Sequence, residues 1–292
     1  MGALDGRIAI ITGAGRGIGR EHALLFASEG AKVVINDLGG AADGTGDDRT
    51  PAQQVADEIK ALGGEALANA DNVADWEGAQ RLINSAVEAF GDLHVLVNNA
   101  GILRDRVLVN MTEEEWDAVI HVHLKGHFAP TRWAATYWRE QSKAGKEVKA
   151  SVINTSSTSG LIGNPGQANY GAAKAGIGAF TVICAQELVR YGVRCNGIAP
   201  AARTRLTEAT PGLGDVVKAP EDPGKFDIWD PANISPLVAY LATEGCPANG
   251  KMFFVQGGQV KVMSGWAMGE GVERQERWTV AELETEMKKL VG

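Results

Sequence analysis

Residues 7–19 read RIAIITGAGRGIG, and this stretch decides the fold. Residues 7–12 form an apolar, isoleucine-rich run of strand length. Gly13, Gly15, Gly17 and Gly19 then alternate through a turn, and apolar residues recur at helical spacing to about residue 29. A buried strand that turns on glycines into a helix opens a parallel βαβ unit. Glycines allow positive φ and close approach of backbone N–H groups, and the helix start adds a partial positive charge. Such a turn suits a phosphate group, and the flanking strand and helix lend weight to a glycine pattern that means little alone.

Outward from this turn the rhythm repeats. Strands are expected at 32–37, 65–71, 93–98, 149–155, 193–198 and 252–255, and helices at 51–62, 75–90, 168–191 and 233–243. Thr112-x-x-Glu115 is a capping box that opens one long helix to about residue 141. The expected architecture is α/β, a doubly wound parallel sheet with helices on both faces, built as a single domain over 1–292. Two stretches break the rhythm, a Gly/Asp loop at 39–50 and a Pro/Gly/charge-rich segment at 204–230 that reads as a substrate flap. Residues 259–292 read as a C-terminal extension, in which Thr279 and Glu282 cap a helix with Leu283, Met287 and Leu290 on one face.

Composition narrows the function classes. The formal net charge is −8, from 28 Lys and Arg against 36 Asp and Glu, which argues against nucleic acid or an anionic membrane as partner. The 3 cysteines form no CxxC pair, so neither a disulfide framework nor a metal site is expected. No apolar run approaches the roughly 20 residues of a membrane span, and the N-terminus lacks a basic leader, so a cytoplasmic location is expected.

Asp37 ends the second strand, about twenty residues beyond the glycine turn, where a carboxylate can accept both adenosine ribose hydroxyls. A 2′-phosphate there would meet like charge, which favours NAD over NADP. Arg16, in the turn itself, keeps NADP open. Tyr170 and Lys174 stand at i and i+4 on one helix face, with Ser157 upstream. A phenol is a poor base at neutral pH, and a nearby ammonium stabilises its phenolate.

The T-G-x-x-x-G-x-G turn at 12–19, Asn98-Asn99-Ala100-Gly101, and Tyr170-x-x-x-Lys174 with Ser157 together resemble the short-chain dehydrogenase/reductase family, from Gly6 to about Gly258. The resemblance implies a Rossmann fold of seven strands in the order 3-2-1-4-5-6-7. It implies that Tyr170 exchanges a proton with the substrate oxygen, that Ser157 holds that oxygen, and that Lys174 also bonds the nicotinamide ribose. Cofactor contacts are implied for Gly13, Arg16, Gly17, Ile18, Gly19, Asp37, Asp71, Asn72, Val73, Asn99, Ala100, Gly101, Tyr170, Lys174 and Pro200. His123 stands where the family offers a relay asparagine, and a relay or supporting role is implied for it. Pro200-Ala201 replaces the usual Pro-Gly.

Residues 36–40, the long loop, 101–106, 122–124 and 166–170 resemble one branch. It comprises the dehydrogenase unit of type-two peroxisomal multifunctional enzymes and its bacterial single-domain relatives. That branch implies NAD-dependent oxidation of (3R)-hydroxyacyl-CoA thioesters or hydroxysteroids by a homodimer or homotetramer. Arg203 and Arg205 are candidates for a CoA phosphate, and Trp229 and Trp266 for an acyl pocket. The rival expectations are an NADPH-dependent 3-oxoacyl-carrier-protein reductase and, from another class, a non-catalytic dinucleotide sensor or scaffold.

Overall fold

The computed structural model describes residues 2–46, 50–209, 214–222 and 224–291. Residues 47–49 of the Gly/Asp loop, and 210–213 and 223 of the flap, lie outside them. The chain runs β1 (Ile8–Thr12), α1 (Gly17–Ser28), β2 (Lys32–Asn36), α2 (Thr50–Ala61), β3 (Ala66–Asn69), α3 (Trp76–Phe90), β4 (Val95–Asn98), α4 (Glu113–Ile120) and α5 (Gly126–Lys143). It continues through β5 (Ala150–Thr155), α6 (Thr158–Leu161), α7 (Ala168–Leu188), β6 (Val193–Pro200), α8 (Arg205–Ala209), α9 (Ser235–Ala242), β7 (Met252–Gln256), β8 (Gln259–Met263) and α10 (Val280–Val291).

The sheet order is β3-β2-β1-β4-β5-β6-β7-β8. Its first seven strands are parallel in the expected order, and β8 joins β7 antiparallel. Alternate residues of each strand point to opposite faces. Ala9, Ile11, Val33, Ile35, Val95 and Val97 pack with α1, α2 and α9 on one side. Ile8, Ile10, Val34, Leu96 and Val152 pack with α3, α5 and α7 on the other. Both faces are therefore covered, as the unbroken apolar strands require.

Two elements differ from expectation. The eighth strand, at the start of what reads from the sequence as a C-terminal extension, closes a hairpin with a two-residue Gly257-Gly258 loop, Gly257 taking φ +50°. The helix expected from 112 to 141 is present over 113–143, but His121–Lys125 forms a π-helical turn within it, between α4 and α5. Pro130 lies inside α5, so the carbonyl of Gly126 lacks its helical N–H donor where the π turn ends. The Thr112–Glu115 capping box is present as read.

Among the described residues, the helix 168–191 is long and apolar enough to cross a membrane by length and composition. It carries the buried polar residues Asn169, Lys174 and Thr181 and packs beside β6, as a core helix does.

Candidate active site

The glycine turn, residues 99–101, Ser157 and Pro200 lie at or just beyond the C-terminal ends of parallel strands, flanking the switch in strand order between β1 and β4. Ligands of open α/β sheets bind at such a crevice. Thr12 Oγ1 accepts from the backbone N–H of Asn99 (2.9 Å) and Ala100 (3.1 Å), tying β1 to β4 there. Asn99 Nδ2 donates to the carbonyls of Thr12 (3.0 Å) and Gly13 (3.2 Å), so its amide holds the turn in shape. A Cβ on Gly13, at φ +64°, would meet Ala100 Cα at 2.8 Å, and one on Gly19 would run into the Gly13 carbonyl. The turn thus presents bare backbone at the start of α1, a cradle that fits a dinucleotide pyrophosphate. Asp37 closes it, with Oδ2 accepting from Gly15 N (2.8 Å) and Oδ1 from Gly39 N (2.7 Å). Its carboxylate lies beside the turn, as the spacing anticipates.

Asp71, Asn72 and Val73 follow β3. Both Asp71 oxygens are engaged within the protein, by Arg81 Nε (2.8 Å) and Asn69 Nδ2 (2.9 Å). The Asn72 carboxamide caps Ala74 N (2.9 Å), and Val73 is buried. Any cofactor contact these residues make is thereby left to backbone and to the remaining faces of the side chains. Pro200 ends β6, and Ala201 N donates to Val255 O (2.9 Å). No described non-glycine residue has positive φ, so alanine in place of the family's glycine is unstrained here.

The structure brings Ser157, Tyr170, Lys174 and His123 together. Ser157 caps the short α6, and its Oγ accepts from Ser159 N (3.2 Å). The buried Lys174 donates from Nζ to Thr155 O (2.6 Å) and lies 5.4 Å from the Tyr170 ring centroid. Burial draws the Lys174 ammonium down to about 7. Burial pushes the Tyr170 phenol up to about 12, with the Ser157 hydroxyl pulling down and the Asp105 charge adding to the rise. The protein's own groups therefore keep the phenol protonated at neutral pH, since desolvation outweighs the help expected from Lys174.

His123 sits in the π turn and is buried against Tyr170, ring centroids 5.2 Å apart at 89°. Its Nε2 lies 2.7 Å from Ile102 O and 3.1 Å from Ile102 N, one of which it serves according to tautomer. Burial, and next the Lys174 charge, hold it well below the usual histidine range. It is a neutral imidazole rather than a group that titrates near neutrality. A Cβ on Gly101 would occupy its ring edge, so Gly101 makes room for it.

Arg203, a candidate for a CoA phosphate, is engaged within the protein. It pairs with Asp227 Oδ2 at 2.5 Å and donates to Val217 O at 3.0 Å, while its own N–H bonds Trp229 O. It ties Val217, Asp227 and Trp229 to the end of β6. Arg205 is exposed at the start of α8. Trp266 is 89% exposed, so it lines no acyl pocket within this chain.

Several groups around the site escape sequence reading. Asn98, which opens the motif at 98–101, donates to Thr131 and Asn154 (both 2.9 Å), and Asn154 donates to Thr181 (3.0 Å), a buried polar layer whose other members the sequence does not mark. His127, one turn beyond His123, is buried near Lys174, and burial holds it down to about 3. Its i+4 spacing from His123 is the one signal the sequence offered.

The family model for short chain dehydrogenases matches residues 7–212. A hydroxyacyl-CoA dehydrogenase of Mycobacterium tuberculosis, ChsB1, is 46% identical over 268 residues, 89% of this chain and 80% of the relative. The peroxisomal multifunctional enzyme type 2 of Drosophila melanogaster is 45% identical over 90% of this chain, which spans 40% of that longer protein. A 3-oxoacyl-[acyl-carrier-protein] reductase of Synechocystis is 40% identical over 89% of this chain and 99% of the relative. The crystal structure of a short chain dehydrogenase from Mycobacterium avium superposes with a TM-score of 0.88 at 51% identity, covering 99% and 96% of the two chains. The chain belongs to the short-chain dehydrogenase/reductase family, whose members use a nicotinamide nucleotide, and it is an oxidoreductase acting on CH–OH groups.

Proposed function

We propose that this protein oxidises (3R)-hydroxyacyl-CoA thioesters, or a hydroxysteroid of related shape, with NAD. The observation that carries the cofactor is Asp37, whose carboxylate lies against the glycine turn where a 2′-phosphate would meet like charge. The hydroxyacyl-CoA dehydrogenase and multifunctional-enzyme relatives support the substrate class.

When bound, the nicotinamide supplies the hydride acceptor. The chain's own groups handle the proton: Ser157 holds the reacting oxygen, Tyr170 takes the hydroxyl proton, and Lys174 supports the phenolate from Thr155. His123 packs Tyr170 in place. The partly exposed apolar face formed by Phe128 on α5 and Ile183 on α7, 43% and 51% exposed, supports a homo-oligomer joined through these helices.

The 40% identical 3-oxoacyl-carrier-protein reductase favours the second reading, ketone reduction with NADPH. Fluorescence titration with NADH and NADPH, followed by NAD reduction with hydroxyacyl-CoAs of graded length and with hydroxysteroids, separates them. Tenfold tighter NADPH binding would sink the first reading.

A further inference from the structure

Asp105 lies in the segment after β4 and is not accounted for by the cofactor turn or by the Ser157, Tyr170 and Lys174 group. Arg106 N donates to Gly166 O (2.8 Å), which latches this segment to the residues just before α7. Asp105 Oδ2 accepts from Gln167 Nε2 (2.7 Å). Gln167 Oε1 in turn accepts from Ser159 Oγ (2.8 Å) and Asn164 Nδ2 (2.9 Å). Ser159 N donates to Ser157 Oγ (3.2 Å), so a hydrogen-bond chain runs from the carboxylate to the Ser157 hydroxyl. With its oxygen accepting from Ser159, the Ser157 hydroxyl keeps its proton to donate towards Tyr170 or a substrate oxygen.

The other carboxylate oxygen, Asp105 Oδ1, is buried and has no hydrogen-bond partner among the described residues. The arginines on either side are engaged elsewhere. Arg104 Nε donates to Asp43 O (3.0 Å), and Arg106 pairs with Glu115 at 2.8 Å. The Asp105 charge is thus left without a cation of its own, in surroundings where a charge acts strongly on its neighbours.

We propose that Asp105 is a positioning residue for the Ser157–Tyr170 pair, aligning the serine hydroxyl through Gln167 and Ser159 and holding a buried carboxylate at the far end of that chain. The groups facing Tyr170 are Asp105 from the segment after β4, Ser157 from the start of α6, His123 from the π turn, and Lys174 from its own helix. His123 is neutral and Ser157 uncharged, so Asp105 is the anion in this set. Burial raises the Asp105 carboxyl while Gln167 opposes the rise, as a charge held in a poorly solvated place should show. The functional meaning rests on the catalytic reading of Tyr170 given above, and the test separates the two.

Tyrosinate formation is followed by ultraviolet absorbance after an alkaline pH jump, read before unfolding, and needs no substrate. The chain has 4 tyrosines, so subtracting the Tyr170→Phe signal isolates Tyr170. Asp105→Asn keeps an acceptor for Gln167 and removes the charge, and should lower the Tyr170 midpoint by about one pH unit. Asp105→Glu keeps the charge and should leave the midpoint where the wild type has it. Gln167→Ala breaks the chain and keeps the charge, so NAD-dependent kcat should fall about tenfold without a shift of midpoint. An unmoved midpoint in Asp105→Asn, an equal shift in Asp105→Glu, or a wild-type kcat in Gln167→Ala would overturn the proposal. If Tyr170→Phe kept full turnover, the catalytic reading would fail while the ionisation result stood.

Discussion

His123 meets Tyr170 edge-on, at 5.2 Å between ring centroids, from inside a π-helical turn that interrupts an otherwise regular helix pair. The extra residue of such a turn re-aims side chains, and π turns often mark functional sites. Here it directs an imidazole between Ile102 and the phenol, where burial keeps it neutral. We predict no limb near pH 6.5 in the wild-type profile of kcat/KM that His123→Asn abolishes. His123→Leu, which removes the polar tie to Ile102, should lower kcat about tenfold with little change in KM. A limb near 6.5 lost only in the His123 variants would show that the ring titrates during turnover.

Asp37 is predicted to set the cofactor. Replacing it with alanine removes the charge facing the 2′ position and frees Gly15 N. The ratio of NADPH to NADH affinity should rise at least about tenfold, one charge contact being worth on the order of 1.4 kcal/mol or more. Fluorescence titration of both cofactors against Asp37→Ala measures it, and an unchanged ratio would remove Asp37 from the determinants.

Acid should destabilise the protein through its buried histidines. His22 and His127 are both held down to about 3 by burial, His22 beside Ser235 Oγ at 2.8 Å. Each binds a proton in the unfolded chain near 6.5 but not in the folded one until about 3. The unfolded state therefore binds more protons between those values, so stability falls as pH drops through this window and the loss is complete below it. Urea midpoints between pH 7 and 4 should decline steeply, and His22→Gln should flatten the decline. An identical slope in that variant would place the acid sensitivity elsewhere.

The Arg203–Asp227 pair should govern order in the flap. Arg203 ties residues 217, 227 and 229 to the end of β6, so Arg203→Ala should raise KM and speed limited proteolysis within 204–230 while leaving the overall thermal transition nearly unchanged. Unaltered cleavage would show that the flap is held by its apolar contacts alone.

Much of this architecture can be read from residues 7–19 outward, because unbroken apolar strands and capped helices carry local signals. Asp37 lies against the glycine turn, and Ser157, Tyr170 and Lys174 lie together at another part of the crevice. The rest depends on contacts between distant segments. One inserted residue at 121–125 leaves the apolar periodicity of the helix almost intact, so the π turn has no visible mark. β8 alternates Val260 and Val262 with Gln259 and Lys261 but is largely exposed and only five residues long, so the pattern is too short to stand out, although Gly257-Gly258 between two short runs is a hairpin signal. Arg203 reads as a free cation until its partner 24 residues away folds back onto it. Asp105 gains meaning only once Gln167, 62 residues on, lies beside it.

We propose that Tyr170, held by His123 and supported by Ser157 and Lys174, carries the proton in the oxidation of a secondary alcohol. The most direct measurement is single-turnover NAD reduction with a (3R)-hydroxyacyl-CoA by wild-type and Tyr170→Phe protein, with cofactor binding checked in both. The account predicts a rate lower by about 10²–10⁴-fold in the variant, with NADH affinity unchanged. Wild-type turnover by Tyr170→Phe would contradict it.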